Sequence, residues 1–251
     1  MSGKQVFAIV YEAEADLKVA SELADRVLVE SIDWLEESHL ESCRTWVSRL
    51  VGGEPLKWTR IKQLARDAGI KVAGHMDHQA AYPDAKAARR AILYLEKIVD
   101  DVAGIVLIRD QDDQPERRKG LEQARQEHQG KTPVVIGLAV VEREAWVISG
   151  FEPRNANEQS RLSQESQTLG FQPQERSQEL TACKDDNSKR SPKRVLQALT
   201  GGNFERERSC WKSTALELLR ERGAENGLKP YLEEVREHLA PRIGHIAGRA
   251  E

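Results

Sequence analysis

Four apolar runs in this chain end on acidic or histidine-bearing segments, and that pattern restricts the fold more than any other feature. Val6–Tyr11 leads into Glu12 and Glu14, Ile105–Ile108 into Asp110, Asp112 and Asp113, and Val134–Val141 into Glu142 and Glu144. A weaker run, Lys71–Gly74, leads into His75, Asp77 and His78. Short β-branched runs with little polar alternation are the mark of strands covered on both faces. The stretches between them have helical spacing: Val19, Ala20, Leu23, Ala24, Val27 and Leu28 in one, Ala87, Ala88, Ala91, Ile92, Leu95 and Ile98 in another. Strands alternating with helices imply an α/β fold, a mostly parallel sheet flanked by helices.

The same reading places strands over 5–11, 70–74 (edge-like), 104–109 and 133–141, and helices over 15–30, 31–50, 58–68, 84–101 and 116–129. Gly52, Gly53 and Pro55 break the chain. After Gly150 the texture changes. Residues 153–192 are rich in Gln, Ser, Asn, Arg and Glu with few apolar anchors, which predicts a linker or loosely packed helical stretch. Helices over 193–200, 209–222 and 228–239 close the chain. The expected organisation is an α/β domain over 1–150, a polar segment over 151–192 and a C-terminal helical extension over 193–251.

Composition narrows the function classes. A net charge of −3 gives no global attraction to nucleic acid, so any such contact needs a local basic surface. The longest apolar run, Val134–Val141, is far short of the roughly 20 residues of a membrane span. Met1–Gln5 runs directly into the first strand, so no signal peptide is expected. Cys43, Cys183 and Cys210 are widely spaced and odd in number, which suits a reduced cytoplasmic protein without a zinc ribbon. No phosphate-binding glycine loop occurs, so the chain is not expected to hydrolyse ATP by itself.

Carboxylates gathered at a sheet rim repel one another unless a cation neutralises them. Ligands of open parallel sheets bind beyond the carboxyl ends of the strands. Glu12, Asp110 and Asp112 are therefore the expected ligands of Mg²⁺ or Mn²⁺, provided their strands are neighbours. Such an ion polarises phosphoryl oxygens and supplies a hydroxide nucleophile. Glu14, Asp113 and Glu142 are secondary acidic candidates, and His78 is a candidate acid or base. Lys119, in the Arg117-Arg118-Lys119 run, is a candidate for stabilising transition-state charge, although a solvated helix face explains the run equally well. Lys184, Lys189, Arg190, Lys193 and Arg194 form the densest basic stretch, and the last four are the candidate nucleic-acid contacts, with a soluble linker as the plain alternative. Trp34, Trp46, Trp58 and Trp211 read as packing residues.

These residues carry a resemblance. Tyr11–Asp16 resembles the opening Glu-Gly motif of Toprim domains, with Ala13 standing where the glycine is usual, and Asp110-Gln111-Asp112 resembles their Asp-x-Asp motif. Glu142-Arg143-Glu144-Ala145-Trp146 is similar to the Glu-x-Glu-Ala-Trp segment of a Toprim-like family related to the nuclease part of OLD-type proteins. Ser191-Pro192-Lys193 and Asn226-Gly227 match more weakly. The resemblance implies a Toprim-like, metal-dependent nuclease using Glu12, Asp110, Asp112 and Glu144. It also implies DNA as the first nucleic-acid partner, a separately encoded ATPase, and a role in anti-phage or mobile-element defence. A catalytically silent module of the same fold, docked on such an ATPase, is the competing expectation, and an oligomer is compatible with both.

Overall fold

The computed structural model describes residues 3–245 apart from 51, 52, 73, 74, 77, 78, 129, 131, 183, 184 and 186. The elements run β1 (Gln5–Val10), α1 (Glu14–Ser31), α2 (Leu40–Cys43), β2 (Arg44–Val47), α3 (Trp58–Asp67), β3 (His75–Met76), β4 (Gln79–Ala80), α4 (Ala85–Ile98), β5 (Val102–Asp110) and α5 (Arg117–Gln126). They continue with β6 (Val134–Ala139), α6 (Arg143–Ser149), α7 (Ala156–Leu169), α8 (Pro192–Thr200), α9 (Phe204–Lys212), α10 (Leu216–Arg222), α11 (Leu228–His238) and α12 (Ala240–Ile243). The fold is α/β: a four-stranded all-parallel sheet in the order β2-β1-β5-β6, with flanking helices. No helix among the described residues is long and apolar enough to cross a membrane.

The chain divides into two compact units. The first comprises Met1–Arg109, Gln114–Gly137 and Glu233–Glu251; the second comprises Asp110–Asp113 and Leu138–Leu232. In the first unit the core is formed by Phe7–Val10 of β1 and Ile105–Leu107 of β5, all fully buried, together with Val19, Leu23, Val27 and Leu28 of α1. Helix α4 packs on both α3 and α5; of the predicted stripe Ala88, Ala91, Ile92 and Leu95 are buried, whereas Ile98, at the helix end, is exposed. Gly120 on α5 lies so close to the chain at Pro83 that a Cβ there would sit 1.7 Å from the Pro83 carbonyl oxygen. That contact clamps the segment leading into α4.

The first unit departs from expectation in two places. The helix expected over 31–50 is largely absent: α1 ends at Ser31, a 3₁₀ turn and the short α2 follow, and Arg44–Val47 is a strand paired parallel to β1. The cause is Asp25 on α1. Arg44 donates to it through Nε and Nη2 at 2.7 and 2.6 Å, and Trp46 donates through Nε1 at 2.9 Å. Residues 44 and 46 can share one acceptor because alternate strand residues face the same way. Strand β2 thereby takes the sheet edge expected for 70–74. Residues 70–72 have no strand structure, and 73 and 74 lie outside the described residues. The local ladder beyond them, β3 with β4, is antiparallel and separate from the main sheet. Trp58 is buried as expected, whereas Trp34 is 54% exposed.

In the second unit the polar stretch after residue 153 contains an ordered helix. Asn155 caps α7 by accepting the Glu158 N–H at 3.0 Å, and Gly170 ends it in the left-handed conformation. Leu162, Leu169, Phe171 and Leu180 are buried. Buried ion pairs replace the missing apolar anchors: Glu158 with Arg206 at 2.8 Å, and Glu165 with Arg194 at 2.6 Å. The helix expected over 209–222 is two helices, α9 and α10. Thr214 between them donates its hydroxyl to the Gly150 carbonyl at 2.7 Å.

Candidate functional site

Strands β1 and β5 are neighbours and parallel. Each unit has its own group of charges.

In the first unit, Glu12 follows β1 and its Oε1 lies 2.9 Å from Nη1 of Arg109, the penultimate residue of β5. Nε of Arg109 lies 3.1 Å from Oδ2 of Asp84, which Arg117 also approaches at 2.6 Å. The Arg109 guanidinium stacks over Trp58 at 5.2 Å, and Trp58 is fixed by donating Nε1–H to the Ile108 carbonyl at 2.6 Å. Glu14 serves a different cluster. It accepts from the Tyr11 hydroxyl at 3.1 Å and from Arg49 at 2.8 Å. Burial first, and then the Glu14 hydrogen bond, push the Tyr11 phenol up to about 12. Asp16 is buried and accepts the Ala13 N–H at 2.7 Å, closing the start of α1.

In the second unit, Asp110 and Glu144 both contact Arg143. The Asp110 carboxylate accepts the Arg143 backbone N–H at 2.8 Å, and the Arg143 guanidinium holds Glu144 at 2.6 Å. Asp110 thus satisfies a donor at the start of α6, where Glu142 occupies the N-cap position without a side-chain cap bond. Beyond the strands the β5–β6 pairing continues: Gln111 N–H donates to the Ala139 carbonyl at 2.8 Å, and Asp112 N–H to that of Val141 at 3.1 Å. Asp112 and Val141 both have left-handed backbone, φ 49° and 74°. For a β-branched residue that conformation is costly, and such outliers gather at functional sites. Asp112 and Asp113 are exposed.

A buried hub holds α6 in place. Asn226 is fully buried, and its Nδ2 donates to the Ala145 carbonyl, Ser149 Oγ and Ser177 Oγ at 3.2, 2.7 and 2.8 Å. Its carbonyl receives the Trp146 indole N–H at 2.9 Å and the Val140 N–H at 2.8 Å. Trp146 stacks on Tyr231 at 5.2 Å. Gly227 has φ 87°, and a Cβ on it would lie 2.0 Å from the Leu138 carbonyl oxygen. The Asn-Gly pair therefore ties the end of β6 to α6.

The other candidates are dispersed. Lys119 pairs with Glu116 at 3.0 Å and lies over the Tyr82 ring, and the Glu116 hydrogen bond raises its pKa. Arg194 is committed bidentately to Glu165, and Arg190 stacks over Phe171. The Lys189 carbonyl accepts from Arg194, and Lys193 lies in the first turn of α8, which Ser191 caps. His78 and Lys184 lie outside the described residues. Among the described residues no group of three or more His, Cys, Asp or Glu is placed to hold a metal ion.

Sequence reasoning missed Arg109, Arg143, Asp84 and Glu207. The first two stand beside predicted ligands, which is a signal in itself. Glu207, half-buried on α9, has its pKa raised by burial first, and Glu144 adds to the rise while Arg143 opposes it. Two of the predicted ligands, Glu12 and Glu144, are instead paired with Arg109 and Arg143.

Comparison with protein-family models, with characterised proteins and with solved structures finds no significant match.

Proposed function

We propose that the chain is a Toprim-like, divalent-metal-dependent phosphodiesterase, a cytoplasmic nuclease acting on DNA beside a separate ATPase in anti-phage or mobile-element defence. The observation that carries this reading is the parallel adjacency of β1 and β5, each followed by a predicted carboxylate ligand. Glu12, Asp110, Asp112 and Glu144 would hold Mg²⁺ or Mn²⁺. The ion, when bound, supplies Lewis acidity and a nucleophilic hydroxide. The chain's own part is orientation: Asp110 is anchored to the Arg143 N–H, and Asp112 is displayed on a backbone locked to Val141.

The test is incubation of the full chain with plasmid and single-stranded DNA in Mg²⁺ or Mn²⁺. Cleavage that disappears in Asp110→Ala supports the enzyme. The commitment of Glu12 and Glu144 to arginines favours a second reading, a silent module docked on an ATPase. Tight ATPase binding without cleavage under either metal selects it.

A further inference from the structure

We propose that the cavity beside the first residues of β1 and β2 binds an uncharged planar heteroaromatic molecule, stacked on the ring of Trp34. The proposal is independent of the metal-dependent reading above. No residue lining the cavity is a predicted metal ligand, and its test needs no metal ion.

The cavity lies within the first unit and has a volume of about 430 Å³. That is within the range of small-molecule sites, roughly 300–1,000 Å³. Its walls are Gln5, Trp34, His39, Ser42, Cys43 and Ile243, together with one glycine. Not one of them is Asp, Glu, Lys or Arg, in a chain of which 31% is charged. An ionic ligand would find no counter-charge in the wall, so the site suits an uncharged one.

Trp34 is the second, separate observation. The sequence suggests a packing role for it, yet Ile32 and Leu35 beside it are buried while Trp34 is 54% exposed. Neither its indole N–H nor the His39 imidazole has a partner among the described residues. A tryptophan with an open face and a free donor is a stacking platform with a polar handle. The chain braces the ring at Gly244, where a Cβ would lie 2.8 Å from Trp34 Nε1 and 3.2 Å from its Cζ2. Gly244 is itself held, donating its N–H to the Ala240 carbonyl at 3.1 Å.

The remaining polar groups define what the ligand must offer. Ser42 is spent on the His39 carbonyl at 2.7 Å, and the Gln5 amide donates to the Gly3 carbonyl at 3.0 Å. The indole N–H is left to donate, and the His39 imidazole to donate or accept. A flat ring with ring nitrogens or carbonyl groups, such as a nucleobase, meets both. The partly exposed Cys43 thiol lines the same cavity and reports on its occupancy.

The experiment measures how fast iodoacetamide alkylates Cys43 of the full chain in EDTA, read by peptide mapping, as a probe is titrated in. Two matched pairs serve: indole with indole-3-acetate, and adenosine with AMP. A neutral probe should protect Cys43 saturably with a Kd on the order of 1 mM or below, as a ring of about ten heavy atoms allows. Protection at saturation should be about threefold or more. The anionic member of each pair should bind no tighter than the neutral one. Trp34→Ala should weaken binding by about fivefold or more, the range for losing one stacking platform, and Trp34→Phe should keep part of it. Melting temperatures should stay unchanged in both, because the ring is mostly exposed. Gly244→Ala, which crowds the indole, should weaken binding with Trp34 still present. The proposal is overturned by any of three results: no protection from either neutral probe up to about 10 mM, protection unchanged in Trp34→Ala, or an anionic member binding about tenfold tighter than its neutral partner. Cleavage of DNA, found or not, leaves this outcome untouched.

Discussion

Replacing Asn226 by alanine tests how α6 is held, and its cost can be worked from the structure. The substitution removes the two amide hydrogens of Nδ2, shared among three acceptors, and the Oδ1 acceptor of the Leu228 N–H at 3.0 Å. The losses are unequal. Ser149 Oγ keeps the Ala145 carbonyl at 3.0 Å and Ser177 Oγ at 3.1 Å, so neither hydroxyl is stranded. The Leu228 N–H loses this acceptor in a fully buried position, which costs about 1–3 kcal/mol. The two amide hydrogens contribute roughly 0.5–1 kcal/mol each once the residual serine pairing is allowed for. The expected destabilisation is about 2–5 kcal/mol. Ser177→Ala, which removes one acceptor and orphans no backbone group, should cost about 1 kcal/mol. Urea unfolding followed by tryptophan fluorescence and by far-ultraviolet circular dichroism measures both. A loss under about 1 kcal/mol for Asn226→Ala, or equal losses for the two variants, would refute the hub. Under the proposed role of Glu144 as a metal ligand, Asn226→Ala should also weaken Mn²⁺ binding under conditions where the chain remains folded.

Gly120→Ala should destabilise by more than about 3 kcal/mol, since its Cβ would lie 1.7 Å from a backbone oxygen that cannot rotate away; a melting temperature like that of the wild type would show the contact to be soft. The pH dependence has a defined sign. The Arg206 hydrogen bond holds the Glu158 carboxyl below its ordinary 4.5, so its contribution is complete above that value and is lost as the pH falls through the lower folded value. Glu158→Gln should therefore be less stable than wild type at pH 7, with a gap that closes under strongly acidic conditions; a gap constant from pH 7 to pH 3 would contradict the pairing. Burial pushes the Cys210 thiol up to about 11, so iodoacetamide at pH 8 should modify the partly exposed Cys43 at least about tenfold faster, as peptide mapping would read.

The contrast between what could and could not be read in the sequence follows from the range of the interactions. β1, β5 and β6 were readable because strands buried on both faces must be apolar throughout, and Val6–Val10, Ile105–Ile108 and Val134–Leu138 are. β2 was hidden because Arg44 and Trp46 look like surface residues until Asp25, on another element, supplies their acceptor. The burial around α7 was hidden for a related reason: Glu158 and Glu165 are buried against arginines 48 and 29 positions away.

The carboxylates follow the same division. That Glu12 and Asp110 stand after strands is a local fact, and their residue types indicate the chemistry. That Arg109 serves Glu12, and Arg143 links Asp110 to Glu144, depends on strand adjacency and on the turn from β6 into α6. In both cases the arginine is a chain neighbour of a predicted ligand: Arg109 precedes Asp110, and Arg143 lies between Glu142 and Glu144. Local repulsion among acidic residues is thus relieved by cations encoded within the motifs themselves. An acidic motif with an arginine inside it can be stable before any ion arrives, and metal affinity then depends on the competition between guanidinium and ion as much as on the number of carboxylates.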